Sequence, residues 1–464
     1  MQQPLVLIGH GLWLQMATAI VAKHLQPFGF RCVAVELPAQ SKEPAAVACG
    51  PELATLCQML GLPLQLLLAK AKGTFSLGSQ YQHNNASCFV PFAHYGLNAA
   101  AAEFDQAILQ LLQQDQSANA EQFCIAAVAA QQGKFALAPA NRADLAEALS
   151  FGLHLSTAEF TACLKHFNQQ LGVSLLSSQK LQLQYDAQGL IRSLRLEQDE
   201  DIPVGYCLDC RAQAEQSGQT LHLFSAQDKA ELLQQPFSTA IRMSWGYIVR
   251  LPLQGGSYWS SQYSGSAADL AQIQQELQQK TGLTDWQLDS RLQQTEAQPW
   301  QGNHLRFGQA AASLDCPLYN GLSALQYLVI RWLDLLPNQN HCPATALMYN
   351  QHWQQFQSEV LDFLLLHQQP LATKTGQAFA RLGRVLNTET DAIKTGQWFG
   401  LLLGLGLRPE RPGQLLANRT DSEIQRGLRQ VQQQIARLVA TMPTQADTLN
   451  RCQPVSYTHL RAHE

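Results

Sequence analysis

At 464 residues, 46% of them hydrophobic and only 14% charged, the chain has apolar mass for two or more lobes around a large buried core. Its net charge of −4, with glutamine carrying much of the polar surface, excludes a phosphate-tracking nucleic-acid surface and any electrostatic pull toward an anionic membrane. No basic region precedes the first apolar stretch and no run approaches a membrane span, so the cytoplasm is the expected compartment.

The chain opens on an apolar run, residues 4–8, followed by Gly9-His10-Gly11, a helical stretch over 12–25, and a second apolar run over 32–35 that ends on Glu36. That layout predicts the first βαβ unit of a dinucleotide-binding domain. The glycines let the backbone approach a pyrophosphate, the helix N-terminus attracts it, and the acid receives a ribose hydroxyl. The last position of G-x-G-x-x-G is Leu14, so one of three glycines is missing. Trp13 inside the turn either stacks on a ligand or fills the groove, filling being the favoured reading.

Helices are predicted over 51–60 and 62–70, then strands over 75–81 and 88–92 around a polar turn at 83–87. Glutamine-rich helices follow over 102–114 and 121–132. Ser156 and Glu159 have the spacing of a capping box opening an amphipathic helix over 160–171. Strands over 180–185 and 190–196 flank Asp186-Ala187-Gln188-Gly189, a hairpin signal, and 204–209 reads as a buried returning strand. Residues 241–253 and 257–263 form another strand pair around Gly255-Gly256. Beyond Leu322 the pattern is almost wholly helical. There Thr420 and Glu423 form a second capping box ahead of a face of Ile424, Leu428, Val431, Ile435 and Leu438.

The eleven cysteines are scattered, mostly within apolar runs, and read as buried reduced thiols. Cys207 and Cys210 form a lone C-x-x-C without the second pair that structural zinc needs, so no metal is expected. His10, His94 and His154 lack a spaced metal set or an adjacent nucleophile and read as structural. Residues 454–464, PVSYTHLRAHE, resemble the translation of a sequencing adapter; they are set aside, with the natural C-terminus expected to lie elsewhere.

Taken in order, several segments resemble the flavin-dependent tryptophan halogenases, whose fold is related to the single-component flavin monooxygenases. Thr74-Phe75-Ser76-Leu77-Gly78 stands where that family has a T-F-K-L-G type run, and Pro91-Phe92-Ala93-His94-Tyr95-Gly96 stands on its H-P-F-G-x-Y-G. Gly133-Lys134-Phe135-Ala136 through Leu153-His154-Leu155-Ser156 is similar to its G-R-F-A…Y-H-F-D stretch. Asp209-Cys210 matches D-C-S-G, and Gly246-Tyr247-Ile248-Val249-Arg250-Leu251-Pro252-Leu253 matches G-W-x-W-x-I-P-L. Ser313-Leu314-Asp315 through Gly321-Leu322 matches F-L-E-P-L-E-S-T-G-L, and Met442-Pro443-Thr444 a late M-P-S run.

The resemblance implies an α/β fold: an FAD-binding Rossmann-like βαβ domain interleaved with a β-sheet substrate region, plus a mainly helical C-terminal part. The expected division is an interleaved body over 1–335 and a helical region over 336–453. Within the body the nucleotide unit is 1–60 with return strands in 172–215 and 303–322, and the substrate region is 74–150 with 235–300. The resemblance also implies reduced FAD supplied by a separate flavin reductase, an indole or other aromatic small molecule as substrate, and a homodimer. Cofactor contacts are expected from Gly9, Gly11, Trp13, Glu36, Gly308, Gln309 and Leu322.

The chain departs from its relatives where the family's chemistry is carried. The family's lysine position is Ser76, a neutral hydroxyl that offers no ammonium. Lys70 and Lys72 lie close in sequence and read as a solvated helix end. The family's glutamate falls on Leu318 or Tyr319, and its halide-contacting pair on Asn320 and Gly321. Both signature tryptophans are replaced, by Tyr247 and Val249, and Arg211-Ala212 replace a small pair after Asp209-Cys210. A leucine in place of the third glycine overpacks by ~1–3 kcal/mol, which lowers FAD affinity roughly 10- to 100-fold if borne wholly by the site. The expectation is a divergent FAD-dependent oxidoreductase that does not halogenate. Two alternatives stand beside it: a non-catalytic flavin- or partner-binding protein, and a flavin monooxygenase on another substrate.

Overall fold

Strand β1 (Leu5–Gly9) is buried along its whole length, because both of its faces are covered. Leu5 and Leu7 point into the main core with helix α1 (Gly11–Leu25), while Val6 and Ile8 enter a second cluster with Ile191, Leu194 and Ile202. A strand covered on both faces reads as a continuous apolar run, which is what residues 4–8 show. The computed structural model describes residues 4–39, 42–83, 86–97, 101–139, 141–197, 201–211, 220–292, 295–312, 321–336, 342–386, 392–410, 414–416 and 418–452.

β1 lies at the centre of a six-stranded sheet, parallel to β2 (Cys32–Glu36) on one side and to Tyr206–Asp209 on the other. Ser174–Ser177 extends the sheet beyond β2 and His304–Arg306 extends it beyond Tyr206–Asp209, both parallel. The edge strand Trp300–Gln301 is antiparallel. Residues far apart in sequence thus meet at the carboxyl ends of these strands, where open α/β sheets place their ligands. α1 packs between helices Thr157–Gln170 and Gly321–Leu335. Asn168 Nδ2 fixes the first contact by donating to the Gln15 carbonyl and side-chain oxygens, both at 2.9 Å.

A three-stranded sheet, β3 (Ala46–Cys49), β7 (Gly152–Ser156) and β4 (Thr74–Ser76) in spatial order, adjoins this layer. A seven-stranded sheet follows. It runs Gln287–Leu292, Thr220–Asp228, Gly256–Ser264, Tyr247–Leu253, Ser238–Arg242, β5 (Gly78–His83) and β6 (Ala86–Pro91). All its pairings are antiparallel except Ser238–Arg242 with β5. Helix Leu270–Thr281 covers its outer face through Ile273 and Leu277 against Phe224, Ile248 and Trp259. The hairpin of Leu181–Tyr185 and Ile191–Leu196 forms as predicted, with Asp186 Oδ1 accepting from the Gln188 and Leu190 amides.

From Gly321 onward the described elements are helical, chiefly Gly321–Leu335, Pro343–Leu366, Lys374–Leu382, Thr395–Gly404, Asp421–Thr441 and Gln445–Cys452. The Thr420–Glu423 capping box is present, and the buried face of its helix is Ile424, Leu428, Ile435 and Val439. Val431 and Leu438 are partly buried and pack against the same core, and Val439 widens the face beside them. The helix packs on Ile125–Gln131 and Ala101–Gln114, returning the chain's end to the early sheets.

Four sequence expectations fail locally. The single strand over 75–81 is two strands in different sheets, broken where Leu77 donates its amide to the Pro236 carbonyl at 2.7 Å. Residues 241–253 hold a turn at Met243–Gly246 between two antiparallel strands. Residues 121–132 divide into a short 3-10 turn, Ala120–Phe123, and helix Ile125–Gln131. Ser156 occupies its N-cap position, but its hydroxyl bonds the Glu159 carboxylate and makes no bond to the helix backbone. Two positions of the turn over 83–87, Asn84 and Asn85, lie outside the described residues, as do Ala212 and 454–464.

Gly152 sits in the middle strand of the small sheet where a Cβ would run into the Cys49 carbonyl oxygen and stand 3.2 Å from Gly50 Cα. Gly152→Ala is expected to cost about 1–3 kcal/mol by overpacking. Denaturant unfolding checks this, and an unchanged midpoint would show that β3 has room to yield.

Candidate functional site

The glycine turn has the backbone the sequence predicts. Gly11 takes φ +53°, and a Cβ on Gly9 would stand 2.9 Å from Cys210 Cβ. Trp13 fills the groove: it is 6% exposed, and a Cβ on Gly308 would stand 2.9 Å from its ring. Leu14 is fully buried in the core, with its amide 3.4 Å from the His10 carbonyl. Glu36 stands at the end of β2 but shares its carboxylate with Lys165, Nζ to Oε2 2.7 Å. The acid that ends β2 therefore has a cation beside it.

The position at the N-terminus of α1 that an anion would take is held by this chain's own Glu43. Its Oε1 accepts the Leu12 amide at 2.9 Å, and its carboxylate lies where a Cβ on Gly11 would go. Lys42 ties the same segment to the seven-stranded sheet through its amide to Asp289 Oδ2, 3.1 Å. Sequence spacing gave no sign of Glu43, because the residue is fixed by a contact across 31 positions. The residues around the turn thus fit a dinucleotide in scaffold, with Glu43 to be displaced. A second opening beside it, about 460 Å³, is lined by His10, Leu37, Gln179, Lys180 and Arg211 among others. His10 caps α1 by position only; its buried Nε2 has no hydrogen-bond partner among the described residues, and burial lowers its pKa against the opposing charge of Glu36.

Asp209 ends the strand next to β1 and is held by Arg211, Nη2 to Oδ2 2.8 Å, and by His304 Nε2 at 3.3 Å. Burial opposes its ionisation, but the hydrogen bonds from His304 and Arg211 overcome this and keep the carboxyl below the usual range. Cys207 and Cys210 are free thiols facing opposite sides of the sheet, both raised in pKa by burial. No group of three or more metal-ligating side chains occurs among the described residues.

A smaller cavity, about 280 Å³, opens between the small and seven-stranded sheets. Tyr81, Val90, Phe92, Val249, Leu251 and Tyr258 give it an apolar wall, and Glu43, Glu52, Ser238 and Ser323 are among its polar lining. Of the two replaced signature positions, Val249 lines the cavity, whereas Tyr247 packs its ring on Tyr81 and His367. Ser76 is absent from that lining: it is 2% exposed, and its hydroxyl donates to the Gly78 carbonyl at 3.1 Å. The C-terminal helix supports its strand, with Gln445 Oε1 accepting the Phe75 amide at 2.9 Å. Lys72 turns away to Glu159, 3.3 Å, and is exposed.

His154 reads as structural in the sequence and is fully buried, yet it joins the small sheet to this cavity: Nδ1 meets Thr74 Oγ1 at 3.1 Å, and Nε2 meets Ser238 Oγ at 2.9 Å. Gly308 and Leu322 lie in the turn and helix flanking α1, Leu322 buried. Gly321 opens that helix; the side chain of Gln309, and Leu318, Tyr319 and Asn320 altogether, lie outside the described residues.

Compared with known proteins, the sequence matches the family described as tryptophan halogenase over residues 4–421. No curated protein matches. Among solved structures, a flavin-dependent halogenase from Xanthomonas campestris is 21% identical, with TM-score 0.86 over 98% of this chain and 99% of that one. A flavin-dependent halogenase from Brevundimonas sp. BAL3 is 18% identical, with TM-score 0.85 over 98% and 100%. A tryptophan halogenase from Shewanella frigidimarina is 17% identical, with TM-score 0.84 over 97% and 98%. At these identities the structural likeness establishes the fold, a Rossmann-like layer with a helical part.

Two fully buried histidines, His154 beside the cavity and His367 behind Tyr81, impose an acid limit on stability. Burial pushes His367 down to about 4, against the opposing Phe363 carbonyl, and His154 down to about 3. In an unfolded chain both take up a proton near pH 6.5, so unfolding binds protons below that pH and stability is lost as pH falls from 6.5 towards 4. His367→Leu removes one of these groups. Between pH 7 and pH 5 the variant is expected to lose about 1–2 kcal/mol less stability than wild type, read by denaturant unfolding; equal losses would show that His367 contributes nothing.

Proposed function

The chain belongs to the tryptophan halogenase family, and from that premise we propose that it is an FAD-dependent oxidoreductase acting on an aromatic small molecule without halogenating it. The observation that carries this reading is Ser76. At the family's lysine position stands a buried neutral hydroxyl already committed to the Gly78 carbonyl. A hydroxyl has no ammonium to hold an oxidised halogen at neutral pH. Neither Leu318 nor Tyr319 supplies the family's carboxylate.

Gly9, Gly11 and the N-terminus of α1 would hold the flavin's pyrophosphate, Glu36 with Lys165 its ribose, and Trp13 and Gly308 the floor beneath it. Bound in its reduced form, FAD supplies the electrons with which molecular oxygen is activated. The chain's own part is to hold an aromatic substrate against Tyr81, Phe92 and Tyr258 and to exclude water from the cavity. The partners proposed are a separate flavin reductase and an indole or similar ring, with a homodimer in the cytoplasm as the working form. No single helix among the described residues is long and apolar enough to cross a membrane.

One observation favours the non-catalytic reading: Glu43 sits where the pyrophosphate would bind. The two readings part on FAD binding. Wild type is expected to quench flavin fluorescence weakly, and Glu43→Ala to bind FAD about 10-fold more tightly, the worth of one charge-assisted hydrogen bond. Absence of binding by both proteins would leave the non-catalytic reading. With a flavin reductase, NADH, bromide and indole, oxygenated product is expected, and brominated indole would overturn the reading of Ser76.

A further inference from the structure

A chain of four hydrogen-bonding groups runs from the small sheet to the cavity wall, and its direction is decided at one end. The Pro252 carbonyl can only accept. Thr74 Oγ1 lies 2.7 Å from it and therefore spends its proton there. Thr74 then accepts from His154 Nδ1 at 3.1 Å, which places the ring's proton on Nδ1. Burial keeps the ring neutral, its pKa pushed down to about 3, so Nε2 carries no proton. Ser238 must in turn donate its hydroxyl to Nε2, 2.9 Å away.

We infer that Ser238 presents only lone pairs to the cavity and selects ligands that bring a hydrogen-bond donor, such as an indole N–H, a phenol O–H or an aniline N–H. Ser238 lines the cavity at the start of the strand that pairs with β5, opposite Ser79, and is 7% exposed. An ordinary serine turns its hydroxyl to serve donors and acceptors alike. Here the turn is blocked, because rotating the proton toward a ligand would leave the buried Nε2 unpaired. A carbonyl, carboxylate or ether oxygen at this point meets lone pairs, whereas an N–H or O–H meets an acceptor. Ser238 is thus a specificity residue, and His154 and Thr74 are positioning residues that act through it.

This rests on the reading of the cavity as the aromatic substrate site and is independent of FAD. The full chain is titrated calorimetrically with indole against 1-methylindole and with phenol against anisole. Wild type is expected to bind each donor about 3- to 10-fold more tightly than its methylated partner. Ser238→Ala is expected to lose that preference by weakening indole and phenol alone. If all four compounds fail to bind, the aromatic reading of the cavity falls; if they bind without preference, or Ser238→Ala keeps it, only the assignment to Ser238 falls. Nitrogen NMR of 15N-histidine-labelled protein tests the direction without a ligand. One ring should show a pyridine-type Nε2 and a pyrrole-type Nδ1, its Nε2 resonance moving in Ser238→Ala. A pyrrole-type Nε2 on that ring would overturn the proposal.

Discussion

The two-sided burial of β1 is the constraint on which the rest depends. A strand covered by α1 on one face and by the Ile191–Leu194 cluster on the other has no freedom to slide or tilt. Its neighbours inherit that register: Ile8 stands beside Val35 on one side and Asp209 on the other. The carboxyl ends of three strands are thereby held level, and the glycine turn, Glu36 and Asp209 open onto the same edge.

What the sequence makes legible is what local physics decides. The unbroken apolar run of β1, the hairpin turn at Asp186 and the Thr420–Glu423 box each depend on residues a few positions apart. The misses have a common cause in tertiary contact. Residues 75–81 look like one strand by alternation, but the Leu77 amide is claimed by Pro236, and the chain changes sheets there. Ser156 and Glu159 have capping spacing, yet they bond each other with Lys72 close by, and the Ser156 side chain makes no bond to the helix backbone. Glu43 could not be read at all, since an acid in a polar loop acquires meaning only when the fold lays it on the N-terminus of α1.

The candidate site divides the same way. Its glycines, Trp13 and Glu36 were legible because motifs carry them, and Ser76 because it interrupts a motif. Ser238 was not legible: a serine at the start of a strand is ordinary until His154 and Thr74, 84 and 164 positions earlier in sequence, are folded against it and the Pro252 carbonyl. Those partners belong to β7, β4 and the seven-stranded sheet, so the polarity of the cavity wall is a property of how two sheets meet.

The presence of Glu43 changes what a nucleotide has to offer. At an open helix N-terminus an incoming phosphate gains the full interaction with the dipole and the unpaired amides. Here one anion replaces another, so most of that electrostatic term cancels, and the released carboxylate recovers its hydration. Net affinity would then be set by what the exchange does not cancel: a second phosphate, any ribose contact with the Glu36–Lys165 pair, and burial of a ring system against apolar surface. A ligand with a large ring system displaces Glu43 more readily than a bare phosphate does. On the proposed reading the turn would favour a whole dinucleotide over its fragments, although Leu14 stands where the third glycine would be.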